Sequence, residues 1–391
     1  MSTQPLAGIK VVEFVHMVMG PTCGLVLADL GADVVKVEPA PSGDNTRRLP
    51  GSGAGFYVMA NRNKRSLAVD LKSPEGHAMV MKLIATADVV VENFRPGAMD
   101  RLGFGYEALS KLNPRLIYCS CKGFLPGPYE TRTALDEVVQ MMGGLAYMTG
   151  PPGRPLRAGS SVNDIMGGMF GAIGILAALN ERHATGAGTH VQSGLFENNA
   201  MLVAQHMAQY VVTGKEAAPM PNRASVWPIY DTFEVSDGQV FIGAVTDTQW
   251  NVFCAAFGLD DLLADPTLAT QHDRHMARPR TIPRIAEALK TYSRADLMAK
   301  MEALGLPFAP ISRPIELFDD PHLNASGGLL AMTLPDGKQT KLPALPISLD
   351  GHRLALRRNP PKTGEHDAEI ARELGYSDAE IGVLREKGVL V

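Results

Sequence analysis

The chain has no excess of basic charge: 37 Lys and Arg stand against 41 Asp and Glu, a formal net charge of −4. That balance cannot neutralise a phosphate backbone, so no nucleic-acid partner is expected. Cysteine is scarce. The four residues Cys23, Cys119, Cys121 and Cys254, none in a C-x-x-C pair, make no disulfide framework in 391 residues, and a reducing, cytosolic setting fits such usage. Long apolar runs are missing too. The longest, Ile165 to Leu179, is rich in Gly and Ala and falls short of the roughly 20 residues of a membrane span. It reads as a buried helix, with no membrane partner. The start, MSTQPLAGIKVVEF, has no basic segment leading into a long apolar stretch and is not a secretory signal. Familiar catalytic signatures are absent as well. No G-x-x-x-x-G-K-[ST], H-E-x-x-H or G-x-S-x-G occurs, which removes the common phosphate-loop, zinc and serine-hydrolase routes, and no metal site is expected. GSGAGF at 51–56 follows Pro50 rather than a strand and lacks the third glycine of a dinucleotide fingerprint, so it reads as a flexible loop. Cys119 and Cys121 alternate in a strand and read as ordinary buried thiols.

What is present is material for a large core. Hydrophobic residues make up 45% of the 391, enough for two to three domains. IKVVEF, a helical stretch from Thr22 to Leu30, Gly31 as a stop and DVVKVE form a βαβ unit. The alternation continues through SLAVDL, a helix opened by Ser73 and Pro74, DVVVEN, a helical stretch near Tyr106 to Leu112, and RLIYCSC. The fold class is therefore α/β: a doubly wound, mostly parallel Rossmann-like large domain. From about Asn222, IYDTFEV, the turn SDG and QVFIGAV form an antiparallel hairpin and open a smaller α+β domain. Its helices fall around Trp250 to Phe257 and from Pro283 to Leu304. We read residues 1–221 as the first part of the large domain, 222–326 as the small domain, and 327–391 as a segment that returns to the large domain.

In an open parallel sheet, ligands bind beyond the carboxyl ends of the strands. Loops 16–21 (HMVMGP), 61–66 (NRNKRS), 92–97 (ENFRPG) and 120–124 (SCKGF) are expected to share that rim. Arg62, Lys64, Arg65, Arg95, Arg101 and Lys122 could there meet a phosphate, with Phe94 or Met17 giving apolar contact. Each alone reads equally as a solvated surface charge. The segment RAGSSVNDIMGGMFGAIGILAALNERHATGAG carries a stripe of small residues, Gly167, Gly171, Gly174 and Ala178, on a helix that Ser160 or Ser161 can cap. Each helical glycine costs up to about 1 kcal/mol relative to Ala, so a packing or binding reason is expected. Asp164 lies in the first turn, where the helix dipole favours a carboxylate; capping is its simplest reading.

The order of LAGIKVVEF, LADLGADVVKVEPAPSGDNTR, NRNKRSLAVDLKSPEG, ADVVVENFRPGAMDRLGFGY, NPRLIYCSCKGF, the Asp164 segment and RHATGAGTHVQSGLFEN closely resembles the class III CoA-transferases, the group of formyl-CoA and carnitine CoA-transferases. The resemblance implies that Asp164 is a catalytic carboxylate that attacks a thioester. It implies contacts to coenzyme A, present as the acyl-CoA substrate with no permanently bound cofactor, from His16, Lys72, Asn93, Phe94 and Arg101. Val18 and Pro39 depart from polar or basic residues of that pattern. A glycine-rich loop of some relatives has as its only counterpart Gly243-Ala244-Val245-Thr246. The resemblance further implies a homodimer of two ring-like subunits interlocked like links of a chain.

Two rivals are weighed beside it. An α-methylacyl-CoA racemase or CoA-ester isomerase on the same scaffold needs an acid and a base on opposite faces of the substrate. There is no histidine between His77 and His183, and the window ALDEVVQ offers Asp136 and Glu137 instead. A non-catalytic CoA-binding protein would have little use for Asp164. As acceptor, the resemblance points to a small carboxylic acid, a C4–C5 dicarboxylate such as itaconate, mesaconate or citramalate, with succinyl-CoA as donor. Its far carboxylate needs a positive partner between the domains, and Arg47, Arg48, Arg132 and Arg223 are the candidates.

Overall fold

A computed structural model describes residues 4–222 and 225–391. Contacts divide the chain into two units, one running to Pro221 and resuming over Pro321–Val391, the other covering Asn222–Asp320.

The first unit is built on a six-stranded parallel sheet: β1 (Lys10–Phe14), β2 (Asp33–Pro39), β3 (Lys64–Val69), β4 (Val89–Glu92), β5 (Ile117–Lys122) and β6 (His190–Gly194), in the order β3-β2-β1-β4-β5-β6. Between β1 and β4 the order reverses, which opens a crevice at their carboxyl ends. The strands are β-branched and buried on both sides, as a sheet covered on both faces requires. Val11, Val34, Val89, Ile117, Cys119 and Cys121 point to one face. There they meet α1 (Met19–Asp29) and the long helix that precedes β6. Val12, Val35, Leu67, Val90 and Tyr118 point to the other, covered by α2 (Pro74–Ala85) and the carboxyl-terminal helices Asp367–Glu373 and Asp378–Glu386.

α1 begins at Met19, inside the stretch read as a loop, because Pro21 falls in the first turn, where no intrahelical N–H is required of it. α2 opens as its sequence suggests, with Ser73 accepting the Gly76 N–H. After β5 come α3 (Asp136–Met142), α4 (Val162–Thr185) and, after β6, α5 (Leu195–Thr213). The small-residue stripe of α4 serves the first of its two expected uses. A Cβ on Gly167 would stand 2.5 Å from Met19 Cε, and one on Gly168 beside the stripe 2.4 Å from the Met19 carbonyl oxygen, so α1 lies directly against α4. The opposite side of α4 is not buried: Met169 and Ile173 are exposed.

In the second unit the hairpin Ile229–Val235 and Gly238–Ala244 is antiparallel and takes Phe308–Pro310 as a third strand. The single helix expected from Pro283 to Leu304 is two, Arg278–Leu289 and Arg294–Ala303, the second capped by Ser293. Asp320 rather than residue 326 closes this unit. The difference arises because Pro321–Ala325 packs on the next segment: the Gly328 N–H donates to the Leu323 carbonyl, and Lys341 Nζ donates to Asn324 Oδ1 at 2.6 Å. The chain end is stitched to β3, where Asp367 accepts the N–H groups of Ala68 and Val391.

Candidate active site

Four of the six expected site residues stand together at the carboxyl edge of the sheet. His16 follows β1 and Asn93 and Phe94 follow β4, the two strands at the order reversal. The Asn93 side chain accepts the His16 N–H at 3.0 Å and donates to the His16 carbonyl at 2.9 Å. It therefore pins the loop across the crevice. The His16 ring lies 5.3 Å from that of Phe94, and burial holds its pKa below the ordinary value, so the imidazole is neutral at pH 7.

A cleft of about 430 Å³ opens here, lined by His16, Phe94, Arg95, Arg101, Cys121 and Arg132 among others. Arg95, Arg101 and Arg132 are exposed. No ion pair with a carboxylate engages any of them among the described residues; Arg132 stacks on Tyr129 with its guanidinium 4.8 Å from the ring centre. Three such forks around one cleft suit an anionic ligand. Lys122, by contrast, is committed: it pairs with Glu92 at 2.6 Å and donates to the Phe94 carbonyl at 2.7 Å.

Lys72 is on the same edge, just after β3, but lines none of this cleft. Two strand spacings, roughly 10 Å, separate β3 from β1. Loop 61–66 is not on that edge at all. Residues 61–63 precede β3 and 64–66 are its first three, and in a parallel sheet the start of a strand lies at the amino edge. Its cations are buried and paired: Arg62 with Asp29 at 2.7 Å, Lys64 with Glu13 at 2.7 Å, Arg65 with Asp33 at 2.5 Å and with Glu369 and Glu373. These three hold the fold and are not free for a phosphate.

Asp164 sits in the first turn of α4. That turn is at the carboxyl edge, since the Gly167 carbonyl accepts from Ser193 near the end of β6. Neither Ser160 nor Ser161 caps the helix; Ser161 occupies the N-cap position without a side-chain bond. Asp136, the first residue of α3, does so from outside. Its carboxylate accepts the N–H groups of Asn163 at 2.8 Å and Asp164 at 3.2 Å, and Gln140 Nε2 at 2.5 Å. The sequence singled out Asp136 only as standing, with Glu137, where a racemase would need a histidine, because a cap supplied from another helix leaves no local spacing to read.

Asp164 itself is half-buried rather than exposed. Burial first, then the charges of Asp136 and Cys121, push its pKa up to about 7, while Arg157 pulls the other way. Arg157 also pairs with Glu137 and lines a second hollow of about 460 Å³ with Ser161 and Ile165, the neighbours of Asp164. The arrangement is a carboxylate poised to ionise near neutrality that lines neither hollow itself: Leu135, next to Asp136, lines the first, and Ile165, next to Asp164, lines the second.

Of the acceptor candidates, Arg47 is bound bidentately by Glu38 and donates to the Pro361 carbonyl, and Arg48 is held by Ser42 and Asn45. Arg223 lies outside the described residues. Of the three described, Arg132 alone lines the cleft. The Gly243 segment is no loop at its start: Gly243 and Ala244 complete a strand, and the Val245 N–H is taken by Gln249.

Comparison with known proteins follows the geometry. The family described as CoA-transferase family III matches residues 6–367. The succinate–glutarate CoA-transferase of Agrobacterium fabrum is 36% identical over 386 residues, covering 95% of this chain and 96% of its own. The succinyl-CoA–D-citramalate CoA-transferase of Chloroflexus aurantiacus is 34% identical over 400 residues, covering 99% and 98%. Among solved structures, a CAIB/BAIF family protein from Brucella suis superposes with a TM-score of 0.84 at 36% identity, over 96% of this chain and 100% of its own.

Proposed function

The chain belongs to CoA-transferase family III, and from that premise we propose that it moves CoA from succinyl-CoA to a small dicarboxylic acid through an anhydride on Asp164. The observation that carries this reading is the setting of Asp164: a half-buried carboxylate with a raised pKa in the first turn of α4, its N–H held by Asp136, the neighbour of Leu135 in the wall of the arginine-lined cleft.

The Asp164 anion attacks the thioester carbonyl carbon, the C–S bond breaks, and CoA leaves as thiolate with an acyl–aspartyl anhydride in place. The thiolate then attacks the aspartyl carbonyl, which frees the donor acid and leaves CoA on Asp164. The acceptor carboxylate attacks that thioester in turn, and the thiolate returns to the new acyl carbon. No proton is consumed over the cycle. Each tetrahedral oxyanion calls for N–H donors. Arg95, Arg101 and Arg132 bind anionic groups of the two substrates, and Phe94 and His16 give CoA a neutral, partly apolar wall. Lys72 meets the phosphate-bearing end at the outer edge.

The acceptor is supported by the relatives, whose names give succinate, glutarate and D-citramalate, and by Arg132, which lines the cleft. Itaconate, mesaconate and citramalate share that C4–C5 pattern. A panel assay of CoA transfer from succinyl-CoA and acetyl-CoA tests it: C4–C5 dicarboxylates lead, and preference for formate, butyrate or a carnitine-like zwitterion overturns the acceptor while leaving the family intact. A cytosolic setting belongs to the same reading, supported by four unpaired cysteines.

An interlocked homodimer completes it. Exposed Met169, Ile173, Met201, Met207, Tyr210 and Val211 on α4 and α5 support burial by a second subunit. Light scattering at assay concentration checks this, and a stable active monomer contradicts it.

A further inference from the structure

We propose that Cys23, Cys119 and Cys121 form a three-sulfur site for one soft cation of the monovalent-copper class. Cys23 comes from the middle of α1, and Cys119 and Cys121 from the same face of β5. Their sulfurs all lie within 4.8 Å of one another. A cation about 2.3 Å from each sulfur needs S···S separations of about 4.0 Å, so the trio closes on an ion by less than one ångström. The fourth side of the pocket faces Gly171 of α4. A Cβ there would stand 3.2, 3.4 and 3.4 Å from the sulfurs of Cys23, Cys119 and Cys121. Glycine leaves that side without a side chain, which is the second use of the small-residue stripe.

The ligand set selects the ion. Three thiols with no oxygen or nitrogen ligand match a soft cation. Structural zinc takes four ligands, and among the described residues no His, Asp or Glu atom joins the three sulfurs. Monovalent copper is satisfied by three. Binding moves no electron: S–H bonds give way to S–Cu bonds, and each displaced proton passes to the buffer. The three thiols differ in how readily they give up that proton. Hydrogen bonds from Cys119 and Cys23, and then the charge of Lys122, hold the Cys121 thiol well below the usual range. Cys23 and Cys119 are held well above that range, by hydrogen bonds to Cys121 and by burial, so their protons leave only as the ion enters. Since Cys121 also lines the cleft, the ion would sit behind its wall.

The test uses the full reduced chain under anaerobic conditions, titrated with Cu(I) against bicinchoninate as a coloured competitor. Wild type is expected to hold one equivalent per chain. Cys119→Ala and Cys23→Ala should each lose at least a hundredfold in affinity, while Cys254→Ala, a buried cysteine of the second unit, keeps wild-type binding. Circular dichroism establishes that each variant is folded. Failure of wild type to hold one equivalent, or a folded Cys119→Ala that binds as tightly as wild type, overturns the site. Should both trio variants unfold, X-ray absorption on the copper-loaded wild type decides: three sulfurs at about 2.3 Å uphold the site and any smaller number overturns it.

Discussion

The two cationic stretches that flank the sheet differ in what surrounds them. At the start of β3, Arg62, Lys64 and Arg65 are buried and each has one or more carboxylate partners. At the carboxyl edge, Arg95, Arg101 and Arg132 are exposed around a cleft with no such partner among the described residues. The same residue types therefore hold the fold at one place and are left for a ligand at the other. A buried cation without its acid would be costly, whereas an exposed arginine costs little to keep free.

Substitutions at the two places should separate stability from activity. The largest effect belongs to the carboxyl edge: Asp164→Asn should bring CoA transfer below detection while thermal unfolding shifts by no more than ~1 kcal/mol, since a neutral isostere loses only a weak dipole contact. A melting curve and a succinyl-CoA assay on one preparation check both halves. At the start of β3, Arg62→Ala strands the buried Asp29 carboxylate and should cost about 3–5 kcal/mol in denaturant unfolding, with kcat per folded molecule unchanged. Loss of activity without loss of stability there would reverse the comparison. Arg101→Ala and Arg132→Ala should leave stability within ~0.5 kcal/mol and raise KM for a substrate by roughly ten- to a hundredfold, the worth of a charged hydrogen bond.

The smallest effect sharpens the carboxyl edge itself. With its pKa near 7, Asp164 is the anion above that pH and neutral below it, so kcat/KM should fall as pH drops through about 7. Asp136→Asn removes a like charge and should move this acid limb to lower pH. Arg157→Gln removes a favourable one and should move it higher. Limbs that coincide in all three proteins would take the ionisation away from Asp164.

The β1–α1–β2 unit and the hairpin at 229–244 were legible because periodicity, Gly31 and the SDG turn are local signals; the strand order that sets the switch point was not. Asp164 became a candidate only through the resemblance; its position in a first turn gave no more than a cap. What escaped depends on tertiary pairing. Loop 61–66 looks like any basic loop until Asp29, Glu13 and Asp33 are placed beside it, and its edge follows from which side of β3 it joins. Asp136 caps α4 from another helix, and Cys23 reaches Cys119 and Cys121 from a helix far upstream.

The central claim is that Asp164 carries the acyl group and then CoA. Peptide mass spectrometry of wild type quenched during turnover with succinyl-CoA tests it most directly. The account expects a succinyl or CoA adduct on the peptide containing Asp164, absent from Asp164→Asn. An adduct on any other carboxylate, or an Asp164→Asn enzyme that turns over at the wild-type rate, would contradict it.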